Sequence, residues 1–101
     1  MSATVLPIDT IVRDPEVRGG SPVVAGTTIR VSDLAAYHVF DGLSPDQLAA
    51  QFDLGLTEVH AALAYYYGHR QEVDGEIRAN AEAAERWRIE LTGGRRPRAA
   101  D

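Results

Sequence analysis

The chain has 101 residues, 45% of them apolar, no cysteine and a formal charge of −5, with Arg as its only basic side chain apart from three histidines. That length supports one small domain with a single modest core, and the missing thiols exclude disulfides and thiolate metal sites. No apolar run reaches the roughly 20 residues a membrane helix needs, and the N-terminus lacks the charged start and apolar middle of a signal peptide, so a cytoplasmic protein is expected.

Residues 1–8 read as a weakly ordered start. Ile11-Val12 reads as a short strand, and Asp14-Pro15 starts a turn because Pro fixes φ and pushes the residue before it extended. Gly19-Gly20-Ser21-Pro22 signals a second turn. Val23-Val24, a reversal at Gly26-Thr27 and a returning Ile29-Arg30-Val31 read as a β-hairpin with an extended arm before it. Ser32 is the expected N-cap of a first helix reaching about Phe40, with Asp33 in its first turn and Gly42 past its end.

Residues 44–68 read as a helix-turn-helix. Ser44, Pro45 and Gln47 stand in capping-box order. Asp53-Leu54-Gly55 breaks the pattern, with the Gly expected to supply the left-handed turn, and Thr57 is expected to cap the second helix. Val59, Ala62, Leu63 and Tyr66 share one face of that helix. The consecutive Tyr65, Tyr66 and Tyr67 cannot all face one neighbour, so they are read as bridging to the next helix, with a dimer contact as the alternative. That next helix, the longest, is expected over Arg70–Leu91. Val73, Ile77, Asn80, Ala84, Trp87 and Leu91 recur on it like a heptad seam, and Glu82 with Arg86 forms an i,i+4 pair. The expected architecture is mostly α: an N-terminal β arm plus helix-turn-helix core (1–68), a C-terminal amphipathic helix (69–92) and a disordered basic tail (93–101).

The chemistry of the chain points away from catalysis. His38, His60 and His69 show no metal-ligand spacing. The glycine-rich GGSPVVAGT lacks the GxxxxGK pattern of a phosphate loop and leads into a strand. Ser21, Ser32 and Ser44 all have turn or cap explanations, so neither an enzyme nor a cofactor is expected. Arg is unevenly spread. Residues 44–68 contain none and three acids, whereas 69–101 contain seven Arg and seven acids. A DNA reader usually shows a basic footprint, so the helix pair alone is a poor DNA grip. The final helix, with Trp87 between Arg86 and Arg88, is the stronger partner surface, because Trp and Arg dominate binding hot spots.

Asp14-Pro15, Gly19-Gly20-Ser21-Pro22-Val23-Val24-Ala25-Gly26-Thr27, Gly42-Leu43-Ser44-Pro45, Leu56-Thr57 and Ala61-Ala62-Leu63-Ala64-Tyr65 together resemble the family known as domain of unknown function 433. The resemblance covers about residues 8–80. It implies a winged-helix or homeodomain-like fold, a homodimer joined through the N-terminal strands, and a VapB-type antitoxin encoded beside a PIN-like nuclease. By that resemblance the N-terminal part binds operator DNA and the C-terminal segment covers the toxin. The DNA-facing set in this sequence is then Arg13, Arg18, Arg30, Thr57 and His60. The partner-facing set is Arg86, Trp87, Arg88, Leu91, Arg95 and Arg96, with Arg98 a further cation. A stand-alone helix-turn-helix regulator and a dimerisation module without DNA binding remain the alternatives.

Overall fold

The computed structural model describes residues 2–6 and 8–91. Residues 2–6 and 8–10 contain no regular element and precede β1 (Ile11–Val12), which pairs antiparallel with β2 (Val23–Val24) in the register Ile11↔Val24 and Val12↔Val23. The link between them turns at Asp14, whose carbonyl accepts from the Val17 amide at 2.9 Å. It then passes through a 3-10 turn at Arg18–Gly20. Arg18, Gly19 and Gly20 all have positive φ there, which the two glycines adopt without a steric penalty.

The hairpin therefore uses the N-terminal arm as its second strand. The expected return strand Ile29-Arg30-Val31 is reduced to a bridge between Val23 and Arg30 and a bond from the Val24 amide to the Ile29 carbonyl. The physical reason is that Val31 is fully buried as the first residue of α1 (Val31–Phe40), so the chain leaves the sheet to begin a helix.

Two expected caps are also displaced. Arg30, not Ser32, occupies the N-cap of α1, and its guanidinium closes on Asp33 in the first turn. Ser32 sits inside the helix, buried, with its hydroxyl committed elsewhere. The helix stops at Asp41, and Gly42 takes φ 72° beyond it.

In α2 (Pro45–Phe52) both legs of the capping box form: the Gln47 amide donates to the Ser44 hydroxyl (3.1 Å) and the Ser44 amide to the Gln47 side chain (2.8 Å). The left-handed residue after it is Asp53, at φ 56°, and not Gly55. Gly55 is instead the N-cap of α3 (Leu56–Gly68), where its amide donates to Glu58, so Thr57 lies inside that helix. Asp tolerates the left-handed region better than most side chains, which frees the Gly for the next cap.

The helices close around one core. Val24, Val31, Leu34, Ala35, Leu48, Val59, Ala62, Leu63, Tyr66 and Val73 form it, with α1 packed on α2, α3 and the long α4 (Arg70–Leu91). Full burial of side chains such as Leu34 and Leu48 contributes about 1.5–3 kcal/mol each. Helices α1 and α2, at ten and eight residues, are too short to be stable alone on propensity. The architecture is thus mostly helical, with a short antiparallel hairpin at its start and a long helix at its end.

Candidate functional site

Helix α4 is divided by what covers it. Its first three turns are held in two ways. Val73 is buried and Ile77 half-buried against the core. A polar cluster then fixes the helix to the start of α1. The Ser32 hydroxyl donates to Glu76 (2.6 Å) and accepts from the Asn80 amide (3.3 Å), while Arg30 donates to the Asn80 oxygen (3.2 Å) and chelates Asp33. Two tyrosines add a second tie. The Tyr66 hydroxyl donates to Asp74 (3.0 Å) and the Tyr65 hydroxyl to Glu72 (3.3 Å). Burial, reinforced by the Asp74 bond, raises the Tyr66 phenol above its ordinary value of 10.0. The bridging role read for the tyrosines belongs to these two; Tyr67 is exposed.

Beyond Asn80 the cover ends. Every residue from Ala81 to Leu91 is exposed. Ala84, Trp87 and Leu91 continue the face that Val73, Ile77 and Asn80 occupy, because steps of three and four keep one side of a 3.6-residue helix. Trp87 is 62% and Leu91 69% exposed, although both are large and apolar. Arg86 is exposed, and Arg88 pairs with Glu85 at i,i+3, which replaces the Glu82–Arg86 pair expected from spacing. Arg95, Arg96 and Arg98, and the tail expected over 93–101, lie outside the described residues.

The five residues assigned to DNA do not form one basic face. Arg13 donates to the Tyr65 hydroxyl (3.0 Å) and pairs with Glu72, whose carboxylate raises the guanidinium further above its usual value. Arg18 donates to the Thr28 carbonyl at 3.1 Å. Arg30 is absorbed by Asp33 and Asn80. Glu72 and Asn80 are separated by roughly 12 Å of helix rise, so Arg13 and Arg30 serve different ends of the attached half of α4. Thr57 and His60 do come together, one turn apart on the outer side of α3. They line an open groove of about 550 Å³ with Ile8, Ile11, Ala61 and Ala64. Among the described residues its lining is mostly apolar and includes no Arg.

One part of the surface escaped the sequence reading. Val5, Leu6 and Ile8 are each about 80% exposed apolar residues before β1, and Ile8 lines this groove. The signal was present as VLPI, an apolar run with no periodicity and no cap. Among the described residues no cluster of His, Asp or Glu could hold a metal ion, and no described helix is long and apolar enough to cross a membrane.

A family model described as "Protein of unknown function (DUF433)" matches residues 11–66, from β1 into the last turn of α3. The chain belongs to that family. No curated protein and no solved structure matches it.

Proposed function

We propose that this DUF433 chain acts as an antitoxin-like adaptor, a compact head carrying a helix whose far half grips a PIN-like nuclease. The observation that carries this reading is the apolar stripe of α4, which continues through Ala84, Trp87 and Leu91 after the head has ended. An isolated helix of three turns is marginal in water, and a Trp flanked by Arg is the composition of a binding hot spot. Guanidinium groups add a chemical match. A PIN-like nuclease holds Mg²⁺ on clustered carboxylates, and the planar fork of the exposed Arg86 pairs with carboxylates in two-point fashion.

The head supplies a homodimer in this reading. The exposed Val5, Leu6 and Ile8 of one copy cover the α3 groove of another, which removes apolar surface from both. Operator binding draws less support. Arg13 and Arg30 are committed to acids within the chain, and α3 presents Thr57, His60 and Ala64 without a positive charge.

The test is co-expression with the product of the adjacent gene. The full chain is expected to co-purify with a nuclease and silence it, and a chain ending at Asn80 is expected to fold yet lose both properties. Neutralisation by the shortened chain would contradict the reading.

A further inference from the structure

The uncovered half of α4 has a pattern that fits itself. A small groove of about 270 Å³ opens where the covered part of α4 ends, lined by Ser32, Asp33, Ala36, Ile77, Asn80 and Ala81. It lies on the same stripe as Ala84, Trp87 and Leu91. If two copies cross antiparallel about a twofold axis between residues 85 and 86, Trp87 of each falls opposite Ala84 of the other. Leu91 of each then falls opposite Asn80, at the mouth of that groove. Every large side chain meets a small one or a hollow, which is how facing layers interdigitate. Ala81 and Ala83 flank the stripe and let the two backbones approach closely. Glu85 and Arg88, already paired within each chain, lie on one flank, and the twofold brings the two pairs side by side so that Arg88 of one copy also neighbours Glu85 of the other. A parallel crossing would put Trp87 on Trp87 and bring both heads to the same level.

We infer that, before a nuclease is bound, the distal half of α4 pairs antiparallel with the same segment of a second copy, Trp87 seating on Ala84 and Leu91 entering the groove between α1 and α4. This rests on the reading of that segment as the partner-binding surface and adds its regulation: the stripe is sheltered until the nuclease displaces the second copy. Three turns per copy bury less than the roughly 1,600 Å² of a standard interface, so the pairing is weak and reversible. It is separate from contacts of the N-terminal arm.

Trp87 is the only tryptophan, and the chain has no cysteine, so the full-length protein supplies its own probes. Trp87 emission is expected to move to shorter wavelength as concentration rises. Leu91→Asp should raise the midpoint of that change by at least about tenfold, while Leu6→Asp in the arm leaves it in place. Chains with Ala83→Cys should crosslink to chains with Glu90→Cys faster than either does to itself. Emission that ignores concentration, or preferential crosslinking of like with like, would overturn the inference. A blue shift seen only after nuclease is added would overturn it while leaving the antitoxin reading intact. Concentration-dependent pairing in a chain that captures no nuclease would support it and sink that reading alone.

Discussion

The two halves of α4 have nearly the same spacing of apolar residues and opposite fates. From Arg70 to Asn80 the stripe is met by α1 and α3 and fixed by Ser32, Arg30, Tyr65 and Tyr66. From Ala81 to Leu91 every residue is exposed. Periodicity therefore says which face of a helix wants cover, and only the length of the neighbouring elements says whether the same chain supplies it. Helix α1 is ten residues long, and the hydrogen bonds from its N-terminal turn to α4 end at Asn80.

The largest difference between the halves should appear on truncating their apolar side chains. Leu34→Ala, in the core cluster that also holds Val73 of the attached half, is expected to cost about 2–5 kcal/mol in urea unfolding because it leaves a cavity. Leu91→Ala should stay within about 0.5 kcal/mol in dilute solution, as exposed substitutions do. A large loss at Leu91 would erase the distinction.

A smaller effect sharpens it. Ser32→Ala removes a hydroxyl that both donates to Glu76 and accepts from Asn80, so a loss of about 1–3 kcal/mol is expected. Backbone exchange of residues 76–80 should quicken in that variant, with the distal half unaffected. If the protein is indifferent to the change, the polar cluster is not what holds α4.

The smallest effect is a pH slope. Tyr66 has its phenol raised in the folded state by burial and by the Asp74 bond. The unfolded chain then loses that proton first as pH rises through about 10, so folded stability is full below that pH and declines from there toward the higher folded value. Tyr66→Phe should lack this part of the alkaline decline. Unfolding curves of the two proteins from neutral to alkaline pH supply the comparison.

Much of this layout was readable beforehand because it is local. The Ser44–Gln47 box, the stop at Gly42 and the start of α4 each rest on neighbours within four residues. Several of the failed readings were decided at a distance. Ser32 looked like a cap and is a buried contact to a residue 44 positions later. Ile29-Arg30-Val31 looked like a strand, and Val31 is drawn into the core as the start of α1. Arg30 looked available to a phosphate and is closed on Asp33 and Asn80. Of the candidate site, Trp87 and Leu91 were legible as a continuing seam. The apolar strip Val5, Leu6 and Ile8 was not, since a short extended run carries no periodicity to register.

The division of α4 can be measured directly by residue-resolved amide hydrogen exchange on the dilute, nuclease-free chain. Local stability within one protein ranges from almost nothing to the global value. Amides of residues 73–80 should exchange at least about a hundredfold more slowly than those of 84–91. Uniform protection through Leu91 under those conditions would mean that the head, not a partner, holds the whole helix, and the account would be wrong.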